Sequence, residues 1–563
     1  MKCLASRSSK RAWAILASVA ACTCTMATTK TYIGTTAGHF NVASNWNPSG
    51  APASGDDVIM GTTTYTATDD LDVTLDTTEP TGTNAVYNSL TLDSSGLLGF
   101  MVLNQTAGTF AATTETIGKT TAENTFNQNT GTTNTVGTLN IGVASVMDSY
   151  NLSGNVSTIL NATTMNVGVS GSGTFTQTGG SASFAAVTLG GNLGGSGTVN
   201  VSGSQSEFDV FETLNVGGAG SGVFNQSGGD VSAYEVNIAS TFGTATYNYS
   251  GGTLESVGYY IQVAKNGTFN LETGAVLTAD VQLVSGGAFK MAGGSYDPAA
   301  IFYMAGGAFE LQGHSTSLLT LTEPINDDGI TVANGTLENG AATPATLTLN
   351  TPATQNYEEP FVLVQFGGVI QDGGSGSFGL TVTGGTVGYG LGLSGSSNSY
   401  SGATTVATIL QAYANGVFSP NSAVIMLASG VLDASTFSVS IGSLAGTAGT
   451  VNIDAGGTLA IGNDNTSTTY ASVLTGSGTI TKIGSGTLTL NVTGTFNGAI
   501  TVQSGTLAVG GVNGIPTNVP VEFTGSSGTL NVNADQTLAF YSNSDLNTTN
   551  FSNNSTLTVG TNN

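Results

Sequence analysis

Charge is scarce in this 563-residue chain, and positive charge scarcest of all. Only 8% of residues are charged, against roughly a quarter in ordinary globular proteins. Lys and Arg total 9 against 34 Asp and Glu, for a formal net charge of −25. Lys2, Arg7, Lys10 and Arg11 all precede the first acid, and beyond them stand only Lys30, Lys119, Lys265, Lys290 and Lys482. A polyanion with no arginine past residue 11 has no cluster with which to grip phosphate backbones or anionic lipid, which excludes nucleic-acid binding. Cysteine is nearly absent too. Cys3, Cys22 and Cys24 all lie at the N-terminal edge, so the remainder can form no internal disulfide. Beyond the N-terminus no run of 18 apolar residues occurs, which excludes a later spanning helix. Hydrophobic residues still make up 39%, too many for a charge-swollen disordered tail.

What is present begins with an export signal. The basic stretch Lys2 to Arg11 leads into the apolar run Ala12 to Ala21 and then small residues, a tripartite secretory pattern too short to span a bilayer. Val19-Ala20-Ala21-Cys22 resembles a bacterial lipobox, which makes Cys22 a candidate lipid carrier. Thr25-Met26-Ala27 suits ordinary signal peptidase and sets the expected leader at 1–27. An exported chain without disulfides needs another source of stability, and a long hydrogen-bonded array supplies one.

That array is a tandem repeat. An apolar anchor stands four residues before a glycine turn in Phe175-Thr-Gln-Thr-Gly179-Gly180, and again at Phe224, Tyr247 and Phe289. Weaker copies sit at Leu103, Phe126, Tyr150, Val199, Phe269 and Phe309, and the ten anchors are spaced by 20 to 25 residues. A second apolar position, often before glycine, follows at Ile117, Ile141, Val167, Leu189 and Val216. A unit of about 23 residues with short alternating segments, glycine corners and no helical period predicts one turn of a parallel β-helix. Each turn hands its strands to the next at about 4.8 Å, stacking like side chains inside and Thr and Asn ladders outside. Roughly twenty such turns would form a rod on the order of 100 Å long. The fold class expected is all-β: a parallel β-helix solenoid behind an N-terminal β cap.

From about residue 380 the pattern changes. Gly476-Ser-Gly-Thr-Ile-Thr-Lys482-Ile-Gly484-Ser-Gly486-Thr-Leu488-Thr-Leu490 and Phe496-Asn-Gly498-Ala-Ile-Thr-Val502-Gln-Ser-Gly505-Thr-Leu507 are its landmarks, with Leu393 to Val406 and the spacer Ser443 to Val451. These stretches, covering roughly 385–511, resemble the autotransporter-associated β-strand repeat of passenger regions in Gram-negative surface proteins. The resemblance implies a right-handed β-helix, display at the extracellular or outer-membrane surface, and no enzymatic activity. No room for a translocating barrel follows residue 511, so self-transport is not carried over. The expectation is a free or lipid-tethered passenger-like protein, or part of a longer gene. Asn45-Trp46-Asn-Pro48 to Val58 looks like a start motif that precedes such repeats, and it suits a module covering the first open turn. The expected organisation is a leader at 1–27, a cap with first turns at 28–100, and 23-residue turns at 101–320. A β-rich connector or continued solenoid follows at 321–384, then autotransporter-type repeats at 385–563.

Chemistry is hard to place on these residues. β-Helix lyases, esterases and polygalacturonases use basic residues or Ca²⁺-holding carboxylates, and this chain lacks the basic residues. His39 and His314 are lone histidines in different modules, read as turn or surface residues. One pattern stands out among residues 199–300. Glu207, Asp209, Glu212, Asp230, Glu235, Glu255, Asp280 and Asp297 all fall 6 to 13 residues after an anchor, and only Glu272 falls elsewhere. Stacking should align them as an acidic ridge, read as a solvated turn region, a set of Ca²⁺ oxygen ligands or a carbohydrate groove. Tyr234, Tyr259 and Tyr260 are the nearest aromatic platforms for a sugar. Asp56, Asp57, Asp69, Asp70, Asp72 and Asp76 form a second acidic group, expected as a solvated edge of the cap. The resulting expectation is a non-enzymatic extracellular adhesin-like or structural solenoid that meets cells, glycans or neighbouring copies. The alternative is a carbohydrate-active β-helix working through the ridge.

Overall fold

A computed structural model describes residues 28–560 except 35–37, 62–70, 76–85, 94–99, 121, 145–146, 298–299, short pieces between 319 and 332, 352–362, 385–389 and 543–545. Leader residues 1–27, with Cys22, therefore lie outside the described residues, as do Asp69, Asp70 and Asp76. The described chain is all-β, a parallel β-solenoid of about 18 turns with no α-helix. It divides into two compact units, one reaching to Asp280 with Gly286–Ala288, the other holding Val281–Ser285 and Phe289 onward.

In the middle of the first unit a coil has a short strand, a tight turn and a longer strand. Asn124–Gln128, Asp148–Leu152, Ser172–Gln177 and Ser196–Val201 stack in parallel as the first face. Their partners Thr133–Ile141, Ile159–Val167, Gly180–Leu189 and Ser206–Val216 stack alongside. The longer strands bend in the middle because the in-out alternation slips by one residue. In Thr133–Ile141, Asn134 and Val136 point inward, Gly137 and Thr138 both lie outward, and Leu139 and Ile141 turn inward again. The slip divides each long strand into a second and a third face.

The anchors do stack. Leu103 pairs with Phe126, Phe126 with Tyr150, Tyr150 with Phe175, Phe175 with Val199, Val199 with Phe224, Phe224 with Tyr247 and Tyr247 with Phe269. Rings lie flat on one another where two aromatics meet: 4.8 Å for Phe126–Tyr150 and 4.7 Å for Phe224–Tyr247. Val199 interrupts that pile, and Phe208 on the second face fills the space, edge-on to Phe175 at 6.0 Å and to Phe224 at 5.5 Å. The second apolar positions form their own column from Ile117 to Val263. At the corner behind them Gly190 adopts φ +64°, and a Cβ there would stand 2.3 Å from the Ser221 carbonyl oxygen. Only glycine fits that combination.

Outside, the first face carries an asparagine ladder. Asn127 donates to Asn104 at 2.8 Å, Asn151 to Asn127 at 2.9 Å, Asn225 to Asn200 at 2.8 Å, Asn248 to Asn225 at 2.7 Å and Asn270 to Asn248 at 2.6 Å. Thr176 stands in the same column between Asn151 and Asn200. Asn127, Asn225 and Asn248 each donate to one neighbour and accept from the other, which satisfies them without charge.

The first turns are built around Trp46, whose indole donates to the Phe40 carbonyl at 2.7 Å while Tyr32 and Phe40 pack edge-on against it. Thr29–Tyr32 pairs antiparallel with Trp46–Asn47 and parallel with Asp57–Met60. One expectation fails here. Asp56 is buried, not a solvated edge, and it accepts the Ala53 N–H at 2.9 Å and the Thr28 hydroxyl. Asp57 accepts from Asn88 and Ser89, both at 2.7 Å, while Asp72 is exposed.

The second unit repeats the principle with different residues. Gly390–Leu393, Ile409–Ala412, Val431–Asp433, Thr450–Ile453 and Val473–Gly476 stack in parallel, with Leu391, Leu410, Leu432, Val451 and Leu474 in one inward column. Ser438–Ile441, Thr458–Ile461, Thr479–Lys482 and Ala499–Val509 stack likewise, the column Ile441, Ile461, Lys482, Val502 facing inward. Within 321–384, Asn334–Asn339 pairs in parallel with Phe302–Glu310 and with Val369–Gly373.

Candidate functional site

The eight acids fall on more than one surface. Glu207 pairs with Asp230 on adjacent coils of the second face, like charge beside like charge. Asp209 pairs with Ser232, and Ser232 with Glu255, so in that column acid alternates with hydroxyl. Ser232 donates to Asp209 at 3.1 Å and Thr253 to Asp230 at 2.6 Å. Glu212 is the extra residue of a bulge at the bend, where Ser206–Val216 is longer than either neighbour's span. Glu235 begins the third face opposite Thr213 and accepts from Asn237 at 3.1 Å. Asp280, at the end of the first unit, accepts the Ile261 N–H through its carbonyl at 2.8 Å. Asp297 belongs to the second unit. The structure therefore brings Glu207, Asp209, Asp230 and Glu255 together on one face and sets the others apart. Among the described residues no three His, Cys, Asp or Glu side chains converge to hold a metal. His39, in the short strand Gly38–His39, and His314, just past the turn at Gln312 and Gly313, are each exposed and stand in different units.

Tyr234 and Tyr259 stand at the bend between the second and third faces. They are 47% and 60% exposed, with rings edge to face at 5.5 Å. Both are held by the backbone: Gly258 and Tyr259 donate N–H bonds to the Tyr234 carbonyl. Tyr260 is half-buried one residue on.

Sequence reasoning missed the polar groups turned inward. In the Phe-x-Gln-x-Gly-Gly pattern the glutamine, two residues after the anchor, also points inside. Gln177 donates to Gly180 of its own turn at 2.8 Å and to Glu207 of the next coil at 2.9 Å, and Gln226 to Thr253 at 2.6 Å. Each clamps one turn to the next. Whether its oxygen finds a donor depends on the next anchor. Tyr150 donates to Gln128 at 2.7 Å and Tyr247 to Gln226 at 2.6 Å, whereas Gln105 and Gln177, followed by Phe126 and Val199, have buried oxygens with no partner.

Glu115 is the second missed group. It occupies an inward column between Leu90 and Leu139 and is wholly buried. One carboxyl oxygen accepts from Asn134 at 3.1 Å, and the other has no partner. Burial pushes its pKa up to about 8, against the opposing pull of the Asn134 bond. The group is therefore mostly neutral at pH 7. Lys482 is the third. Its ammonium donates to the carbonyls of Gly484 at 3.0 Å and Ser504 at 3.3 Å, and also to Ile483. Burial lowers its pKa to about 8, with the Asp464 charge acting the other way. Its place in the Lys-Ile-Gly-Ser-Gly landmark was the available signal, read there only as a mark of resemblance.

These features define a parallel β-solenoid repeat protein with an uncharged asparagine ladder on its first face and a sparsely polar interior. Comparison with family models, with curated proteins and with solved structures finds no match. Among the described residues no helix is long and apolar enough to cross a membrane.

Proposed function

We propose that the protein is a non-enzymatic extracellular β-solenoid, surface-displayed or secreted, serving as an adhesin-like or structural scaffold. The observation that carries this reading is the asparagine ladder of the first face. A regular surface of amides presents the same weak contact on successive coils, about 4.8 Å apart, and suits many-point attachment to cells, glycans or neighbouring copies. The leader supports export, by ordinary cleavage or by lipid attachment at Cys22. The test is an intact mass of the protein recovered separately from washed cells and from medium. A cell-bound species beginning at an acylated Cys22, or a secreted one beginning near Thr28, supports export. A cytosolic species that keeps residues 1–27 overturns it.

Glu207, Asp209, Asp230 and Glu255 on one face, with exposed tyrosines beside them, favour a second reading as a carbohydrate-active solenoid. Alanine replacement of those four acids separates the two. Loss of glycan turnover or of Ca²⁺ binding with the fold intact would favour the second reading, and no change in either leaves the scaffold.

A further inference from the structure

The third face of the first unit carries an open concave groove of about 490 Å³, separate from the acids of the second face. Its wall is a register column: Thr188 pairs with Asn215, Asn215 with Asn237 and Asn237 with Gln262. Its floor is the corner, where Gly217 and Ala239 carry little or no side chain and leave backbone within reach. Lys265 stands at the rim, with no carboxylate within ion-pair distance among the described residues. The Asn237 amide donates to Glu235 at 3.1 Å and to Asn215 at 3.4 Å, yet its oxygen is buried with no hydrogen-bond partner. Tyr234 and Tyr259 form an exposed aromatic ledge three residues before the amide column, about 10 Å away along the strand.

We propose that this groove binds a neutral polysaccharide, with the amide column and Lys265 holding its hydroxyls and the tyrosine ledge receiving a sugar face. The chemistry follows from the polar groups that face outward along the groove. The Asn237 oxygen stays within the wall, so the groups that meet a ligand are the half-buried Thr188 hydroxyl and Asn215 amide and the exposed Lys265 ammonium, and a sugar hydroxyl can accept from each. The column repeats at the coil spacing, so it matches an extended ligand that repeats its own hydroxyls. The ligand is uncharged because the flanking carboxylates repel polyanions, while one lysine among amides gives no cationic track. The site rests on the proposal that this protein binds surfaces, but not on where the protein is displayed.

The test is affinity electrophoresis of the leaderless full chain through gels containing hydroxyethyl cellulose, xyloglucan, galactomannan or dextran, with polygalacturonate as the charged control. At least one neutral polymer should retard the protein. Asn215→Ala with Asn237→Ala should weaken that retardation at least tenfold, and Lys265→Ala and the surface change Tyr259→Ala should each weaken it several-fold. Asp209→Asn should leave it unchanged. Circular dichroism identifies any variant that has lost the fold, and Tyr259→Ala, which touches no ladder, then decides. Retardation by none of the neutral polymers, or retardation indifferent to the groove and ledge variants, overturns the proposal. Attachment to cells without retardation by any neutral polymer overturns the groove and keeps the scaffold reading. Retardation without cell attachment does the reverse.

Discussion

The informative residues are those whose polarity contradicts their position. Glu115 is carried inside among leucines, and its neutral form is the one the folded state holds. A carboxyl raised to about 8 on folding binds more protons folded than unfolded across the interval from about 4.5 to 8. Its contribution to stability is complete below that interval and falls as pH rises through it, by up to ~1.4 kcal/mol per pH unit. Glu115→Gln should therefore flatten the loss of stability between pH 5 and 8, read as urea midpoints across that range. An equal slope in the variant would mean that Glu115 does not titrate there. The glutamine clamps make a second case. Phe126→Tyr should place a hydroxyl by the orphaned Gln105 oxygen, as Tyr150 does for Gln128, and raise stability by about 1 kcal/mol in urea unfolding. Tyr247→Phe should lower it by a similar amount. Simple alternation from the anchor does carry the glutamines inside, but it misplaces Glu115. Counting from Phe110 and Ala112 puts residue 115 outside, and only the slip at Thr113 and Thr114 turns it in.

At the scale of the element, the repeat was legible because a strand shows its partners through spacing alone. The anchors from Leu103 to Phe269, picked out by period, are the column that the backbone pairs in register. The acids were less legible for the same reason that Glu115 was. The window that groups them spans the bend, so residues at similar offsets leave the strand on different faces. Phe208 shows a further limit. It fills the gap left by Val199 from across the interior, and no period relates the two. In the second unit, Lys482 ties the turn at Ile483 and Gly484 to the next coil at Ser504. Lys482→Ala should leave those carbonyls without their donor, costing about 2–4 kcal/mol. Hydrogen exchange at amides of 479–505 should quicken while those of 101–200 stay as they were. Unchanged protection at 479–505 would show that the turn closes without the ammonium.

For the whole molecule, stability should be graded along the coils, because each coil touches mainly the one before and the one after. Amides of the inner strands Ser172–Gln177 and Gly180–Leu189 should exchange most slowly in the first unit, and those near Thr29–Tyr32 faster. Uniform protection would indicate a single cooperative block instead. Chelation should not shift the melting temperature, since Asp209 and Asp230 accept from hydroxyls of the next coil and, among the described residues, no three acids converge. A fall of several degrees with EDTA, reversed by Ca²⁺, would place a structural ion among them.

The bulge at Glu212 has a bearing on engineering. The chain gains a residue at that bend, and Leu214, Asn215 and Val216 still pair with Val187, Thr188 and Leu189. Spacing error is thus absorbed at a hinge on the outside and not transmitted to the core. A foreign peptide spliced between Phe211 and Thr213 should be carried outward as cargo, leaving the coils on either side in step.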